Sequence, residues 1–348
     1  MRIGAIPETM LERLAIRLGL VPTPLIDTSG TFILARMVIA ATQLGFFEAL
    51  AARSLTAAEL AAACGTHAGA TQQLLQTLVR SGYLLAQSDR YVLAPVSRAW
   101  LLKSSPASLH DAILFAAIEW DWMNHLSEFI RSGAPLDFHA TMAPEHWALY
   151  QRAMRAVANI GAPEVARRLP VPPGARAMLD IGGSHGYYSV LLCRRHPGLR
   201  ATILDLPAAI EHAAPLLAQE HIGDRVIHQP GNALADDLGT ETYDLVLIAQ
   251  LVHHFDSTQN RDLVYRAARA LRPGGHLAIL EAIHVPASKA GGQLAALLNL
   301  YFAFTSRSGI WARDEIVAWQ RDAGLLPRKM IEFLRMPGIG AQVAVKPA

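Results

Sequence analysis

Short apolar runs alternate with helical stretches through the second half of this chain. Runs of strand character fall near 177–181, 200–204, 225–229, 243–249 and 276–282, and stretches of helical spacing near 187–195, 208–219, 258–271 and 313–323. A last pair of strands, near 329–334 and 341–346, brackets Pro337-Gly338. Seven strands interleaved with helices predict an α/β fold, a Rossmann-like doubly wound sheet with parallel central strands. Arg272-Pro273-Gly274-Gly275 reads as the turn that ends a helix before a central strand.

The first third carries a different pattern. Phe32 to Leu50 is apolar at helical spacing and includes the break Gly45-Phe46-Phe47. Thr56-Ala57-Ala58-Glu59 is a capping box that starts a helix over 57–63, and a second helix runs over 70–81 until Gly82. Tyr83-Leu84-Leu85 and Tyr91-Val92-Leu93 then have the spacing of a two-stranded wing. Between these halves, 106–168 is helical and rich in large side chains: Phe115, Trp120, Trp122, Met123, Phe129, Trp147, Tyr150 and Met154. The expected organisation is an α-helical winged-helix domain over 1–105, a helical linker over 106–170 that contributes to a substrate pocket, and a ligand-binding domain over 171–348. Pro170, Pro172, Pro173 and Gly174 mark the last boundary.

A winged helix raises the possibility of DNA binding, which charge argues against. The would-be reading helix, Ala70 to Arg80, holds one cation, whereas phosphate contacts need several. The whole chain of 348 residues has a formal charge of +2 and only 17% charged residues, against 52% hydrophobic ones. That composition predicts a large core and an apolar subunit interface, with no nucleic-acid partner. Cys64 and Cys193 follow no metal or disulfide spacing. No run offers about 18 uninterrupted apolar residues, and the start at Met1 to Ile6 is too short for a secretory signal, so the expected location is cytoplasmic, without membrane attachment.

The chemistry is concentrated in Asp180-Ile181-Gly182-Gly183-Ser184-His185-Gly186, placed between a strand and a helix start. The glycines do not follow the dinucleotide spacing, and no Gly-Lys-Ser/Thr ending makes a phosphate loop. An acid leading the turn repels phosphate and suits a cation. Asp205, 25 residues after Asp180 at the end of the next strand, is placed to accept hydrogen bonds from ribose hydroxyls. The pair points to S-adenosylmethionine, which carries an ammonium and a sulfonium and no phosphate.

These motifs recur in order with Asp205-Leu206-Pro207, Gly231-Asn232, His253 in Gln250-Leu251-Val252-His253-His254-Phe255-Asp256, Leu271-Arg272-Pro273-Gly274-Gly275 and Glu281. Together they resemble the class I S-adenosylmethionine-dependent O-methyltransferases of the caffeate and acetylserotonin type, in their bacterial branch, over nearly the whole chain. The resemblance implies a winged-helix dimerisation domain, a homodimer formed through it, S-adenosylmethionine as donor with S-adenosylhomocysteine as product, and no metal. It implies that Asp180, Gly182, Gly183, Gly186, Asp205 and Leu206 hold the methionine and ribose parts of the donor. Asn232, Ala233, Ala249 and Gln250 would lie along its adenine. Trp120, Tyr150, Met154, Tyr301 and Thr305 match acceptor contacts.

His253 is the expected base. It follows a strand carboxyl end, and imidazole, with a pKa of about 6.5, is largely neutral at pH 7 and can take a phenolic proton. Glu281, ending the next strand, would orient it. Three positions depart from the family pattern: Ile310 where a second glutamate flanks the base, His254 where plant members have aspartate, and Ser184 where glycine is usual. Ser184 fits if its φ is negative. The expected function is methyl transfer to a hydroxyl of a small aromatic, secondary-metabolite-like acceptor. The alternatives are N- or C-methylation, non-methyl-transfer chemistry with bound S-adenosylmethionine (hydroxylation, decarboxylation or pericyclic), and, last, a DNA-binding regulator.

Overall fold

The computed structural model describes residues 3–284 and 292–348, apart from the side chain of Ala140. The chain forms two compact units, Arg2–Trp120 and Asp121–Ala348.

In the N-terminal unit, the apolar stretch after Gly30 becomes α1 (Thr31–Gln43), and Gly45, at φ +75°, turns the chain into a short helix at Phe46–Ala49. The capping box is formed: Thr56 accepts from the Glu59 N–H and Glu59 from the Thr56 N–H, opening α2 (Ala57–Cys64). Next come α3 (Ala68–Arg80) and a wing that gains a short strand absent from the sequence reading, β1 (Leu55–Thr56). It pairs with β3 (Arg90–Leu93), which pairs with β2 (Leu84–Gln87). Phe46, Phe47, Leu60, Leu75, Leu78 and Leu84 form the core. Met10, Leu11, Leu14, Leu18, Phe32 and Ile33 remain exposed on the first helices. Thr23–Gln43 is long and apolar enough, by length and composition alone, to cross a membrane, although it carries Asp27 and Arg36.

The second unit is built on β4 (Ala177–Ile181), β5 (Arg200–Asp205), β6 (Val226–Pro230), β7 (Tyr243–Ala249), β8 (Leu271–Ala282), β9 (Leu326–Pro327), β10 (Ile331–Glu332) and β11 (Ile339–Val345). The strand order is β10-β11-β8-β7-β4-β5-β6, with β9 pairing β11 outside that path. From β6 to β8 the pairing is parallel, and β11 runs antiparallel to β8. The parallel strands are apolar runs because both faces are covered. One face packs Met178, Val190, Leu192, Ile203 and Leu247, the other Leu179, Ile181, Val246, Leu263 and Trp319. One expectation changes: β8 begins at Leu271, so Arg272-Pro273-Gly274-Gly275 lies within a strand. Tyr243 pairs Leu271, Leu245 pairs His276, and the extra residues between them form a bulge that accommodates the proline.

Candidate active site

The order of the parallel strands reverses beside β4, and the crevice at their carboxyl ends is where such sheets bind ligands. β4 leads through Gly182 to α4 (Tyr187–Arg195). Gly182 has φ +68°, and a Cβ there would stand 2.8 Å from Leu251; a Cβ on Gly183 would stand 2.5 Å from the Asp180 carboxyl carbon. Only glycine leaves the backbone open at this bend. Asp180 itself does not face outward. It is 1% exposed, Ser189 donates to its Oδ2 at 2.6 Å, and burial lifts its pKa to about 7. Its Oδ1 is fully buried with no hydrogen-bond partner. The acid braces the turn from behind, which corrects the expectation that, as the acid leading the turn, it meets a cation.

Ser184 also differs from expectation, with φ +49°. A non-glycine residue pays roughly 1–2 kcal/mol for this conformation, and three bonds hold it there. Its N–H donates to Asp205 Oδ2 at 2.8 Å, its carbonyl lies 2.7 Å from His228 Nε2, and its hydroxyl donates to Gln151. The second Asp205 oxygen accepts the Leu206 N–H at 2.8 Å. Two of the roughly four lone-pair directions of that carboxylate are therefore used, and the rest can receive hydroxyls. Asn232 is exposed, its Oδ1 accepting the Leu234 N–H at 2.9 Å, which leaves its amide NH₂ available. The carbonyl of Ala233 accepts from Arg266. Ala249 ends β7, and Gln250 follows at φ +52°.

A short 3-10 turn, Val252–His254, follows β7. Asn260 and Trp311 both donate to the Val252 carbonyl at 2.9 Å and hold this turn in place. His253 Nδ1 lies 2.9 Å from Glu281 Oε2, and the two side chains are 3% and 0% exposed as residues. Glu281 Oε1 accepts the Ala282 N–H at 2.9 Å. An ionised carboxylate only accepts, so Nδ1 carries the proton and Nε2 keeps its lone pair. The Phe302 ring stacks on His253, centroids 3.9 Å apart at 23°. Ile310 is buried against Ala282 and Phe302, so the base has one carboxylate partner among the described residues.

Further aromatic and imidazole rings gather next to His253. His254 lies 4.1 Å away, centroid to centroid, with its Nδ1 2.8 Å from Ser306 Oγ. His139, on the short helix Phe138–Thr141, meets His254 edge-on at 4.6 Å, and its Nε2 is 3.3 Å from the Tyr150 hydroxyl. Burial and the neighbouring His253 push His139 down to about 4, and burial followed by His253 and His139 pushes His254 well below the imidazole range.

Those depressions make a stability prediction. Unfolded His139 takes its proton near 6.5 and folded His139 only near 4. The stability contributed by the neutral ring is complete above about pH 6.5 and is lost as pH falls through about 4, by at most about 3 kcal/mol. His139→Phe should therefore lose less Tm than the parent between about pH 7 and about pH 4.5. Thermal melts at both values check this, and equal losses would count against it.

Of the expected acceptor contacts, Tyr150 stands in this ring cluster and Tyr301 packs on Phe302 at 5.4 Å. Met154 is half-buried on the same long helix as Tyr150, Pro144–Arg168. Thr305 is fully buried and its hydroxyl donates to the Tyr301 carbonyl, so it has no free donor to offer. Trp120 belongs to the N-terminal unit, where it packs on Phe32 at 4.9 Å and under Arg36. The sequence reading missed His139, Phe302, Ser306 and Gln151 as site residues. Phe302 could have been found from its place beside Tyr301; nothing local marks the others.

Residues 108–324 match the O-methyltransferase domain family, and residues 26–103 match the O-methyltransferase dimerisation domain. The chain is similar to a 3-hydroxy-5-methyl-1-naphthoate 3-O-methyltransferase of Streptomyces sahachiroi, 28% identical over 93% of this chain and 94% of that protein. It is also similar to the N,N-dimethyltransferase OxyT of Streptomyces rimosus, 27% identical over 90% and 93%. The fold is shared with human N-acetylserotonin methyltransferase, solved in complex with S-adenosylmethionine: TM-score 0.82, 20% identity, covering 99% of this chain and 100% of the other.

Proposed function

This chain belongs to the O-methyltransferase family, and on that premise we propose that it methylates a hydroxyl of a small aromatic acceptor, with His253 as base. S-adenosylmethionine is the methyl donor of the family, and the residues present suit it. The glycine bend without room for a Cβ and the spare lone pairs of Asp205 suit a nucleoside held close to the backbone, and neither Lys nor Arg occurs in 180–187 to meet a phosphate. Gly182, Gly183 and Gly186 would let backbone approach its methionine part, Asp205 would take the ribose hydroxyls, and Asn232, Ala233, Ala249 and Gln250 would border the adenine. When bound, the donor supplies an electrophilic methyl group on a positively charged sulfur.

The chain's own residues then move one proton. His253 Nε2 would take the acceptor's hydroxyl proton as the methyl group leaves the donor sulfur for that oxygen, with S-adenosylhomocysteine as the leaving group, and the imidazolium so formed would sit between Glu281 and the face of Phe302. Glu281 keeps the tautomer correct and stabilises the charge. Proton removal of this kind contributes about 10²–10⁴-fold, and holding the reactants in line contributes on the order of 7–11 kcal/mol more. The observation that carries this reading is the buried His253–Glu281 pair, whose Nε2 has no hydrogen-bond partner among the described residues.

The test is incubation with methyl-labelled S-adenosylmethionine and a panel of phenols and aromatic amines. Label on a phenolic oxygen supports the proposal; label on nitrogen alone overturns the choice of acceptor atom, and no transfer overturns the activity. Asp205→Ala should weaken donor binding about 10–100-fold, since the ribose acceptor and the bond fixing Ser184 are lost together. Calorimetry giving the parent affinity would remove Asp205 from the site.

The dimerisation domain gives the N-terminal unit its role, and we read the assembly as a cytoplasmic homodimer formed through it. The exposed Met10, Leu11, Leu14, Leu18 and Ile33 would be covered there. Light scattering should return twice the chain mass; a monomer would contradict this assembly.

A further inference from the structure

Ser184 holds a left-handed conformation, φ +49°, in which a residue with a Cβ is strained and glycine is not. Two of the three bonds that keep it there belong to the backbone: its N–H donates to Asp205, and its carbonyl faces His228 Nε2. Any residue at position 184 would keep both. The third belongs to the side chain, whose hydroxyl donates to Gln151 Oε1. Gln151 is 1% exposed, so that bond is made away from water.

Gln151 comes from the helix Pro144–Arg168, and the same helix touches the bend a second time. One turn after Gln151, on the same face, the Arg155 guanidinium lies 3.3 Å from the centre of the Tyr187 ring, and Glu220 pairs with Arg155 at 2.5 Å. Tyr187 is the first residue of α4. Two side chains of one helix therefore span the segment from Ser184 to Tyr187. The residue before Gln151 is Tyr150, whose hydroxyl lies 3.3 Å from His139 Nε2 in the ring cluster next to the base. Consecutive residues of this helix thus serve the two halves of the site, Tyr150 the ring cluster and Gln151 the donor bend.

Without the Gln151 bond, Ser184 relieves strain by leaving its left-handed conformation, and its N–H then leaves Asp205. The donor meets a bend of which only a fraction is competent, and its apparent affinity falls by that fraction. A glycine at 184 would need no such hold. We propose that Gln151 is a positioning residue for the donor site: by holding the Ser184 hydroxyl it fixes the left-handed turn and, through the Ser184 N–H, the Asp205 carboxylate. The inference rests on S-adenosylmethionine occupying this bend.

The test measures S-adenosylhomocysteine binding by calorimetry with the full-length protein and with Gln151→Leu, Ser184→Gly, Ser184→Ala and the double variant of Gln151→Leu with Ser184→Gly. In the parent background, Gln151→Leu should weaken binding about 3–30-fold, the range of one buried hydrogen bond lost. Beside Ser184→Gly the same change should weaken it by less than about 2-fold, because glycine takes a positive φ without help. A loss of equal size in both backgrounds overturns the proposal, since Gln151 would then act by packing or by touching the donor itself. No loss in the parent background overturns it as well. Should Gln151→Leu fail to fold, the two single changes at Ser184 decide. Neither carries the hydroxyl, but alanine is strained at φ +49° and glycine is not, so Ser184→Ala should bind at least about 3-fold more weakly than Ser184→Gly. Equal affinities there sink the assignment. A parent that does not bind S-adenosylhomocysteine overturns the donor reading and this proposal with it; a parent that binds, with affinity indifferent to residues 151 and 184, overturns this proposal alone.

Discussion

His253→Ala is expected to lower kcat by about 10²–10⁴-fold while leaving the affinity for S-adenosylmethionine unchanged. The size of the loss follows from the geometry. Glu281 fixes the proton on Nδ1 across 2.9 Å, so the ring presents one lone pair, at Nε2, while the neighbouring His254 and His139 are bonded to the hydroxyls of Ser306 and Tyr150. Removing the ring takes away the proton acceptor and leaves Glu281, which is fully buried, without its partner. The variant should therefore also melt earlier than the parent. Glu281→Gln separates the two effects. Its amide can donate to Nδ1, which moves the ring proton to Nε2, so turnover should fall with a smaller loss of Tm. Single-turnover kinetics with labelled donor, beside calorimetry for donor binding, measures both. Turnover near the parent rate in His253→Ala would remove the residue from the base role.

Gly183→Ala should cost donor binding more than about 100-fold and stability by about 1–3 kcal/mol, the usual range for an overfilled site. The added methyl would stand 2.5 Å from the Asp180 carboxyl carbon and 2.6 Å from its Oδ2. That oxygen cannot swing aside cheaply, because Ser189 holds it at 2.6 Å in a site with no exposed surface to turn toward. The backbone of the bend has to shift instead, and Asp205, bonded to the next N–H, shifts with it. Gly65→Ala is the control. Its φ of +66° makes alanine strained there too, yet nothing lies within 4 Å of the new methyl and the residue is in the other unit. It should lose roughly 1–2 kcal/mol and keep full donor affinity. Equal donor affinity in Gly183→Ala and the parent, by calorimetry, would disprove the cradle.

The order of apolar runs and helical stretches was enough to find the sheet. The strands at 177–181 and 243–249 fall where their runs predict, because a strand covered on both faces has to be apolar throughout. The glycine bend and Asp205 were legible for a similar reason: the chemistry there is local to a strand end and the turn after it. The family resemblance singled out His253 and Glu281, but no pattern in the chain brings together two residues 28 apart. The parallel pairing of β7 with β8 does that, setting Ala249 opposite Leu280 so that Glu281, near the end of β8, lies beside the turn that follows β7.

Other features were decided only by how elements pack. Asp180 leads the turn in the sequence as an acid suited to a cation and is buried under that turn, its carboxylate filling the space that a Cβ on Gly183 would need. Ser184 takes a positive φ because Asp205, His228 and Gln151, from three separate elements, bond to it at once. His139 reaches the active site from a helix more than a hundred residues before the base in sequence. Hydrophobic periodicity reports which side of an element is apolar; it carries no information on which elements that side will meet. This protein's sequence therefore determined its layers, its bend and its candidate base, while the charge state, strain and neighbours of those residues depended on tertiary contacts between distant segments.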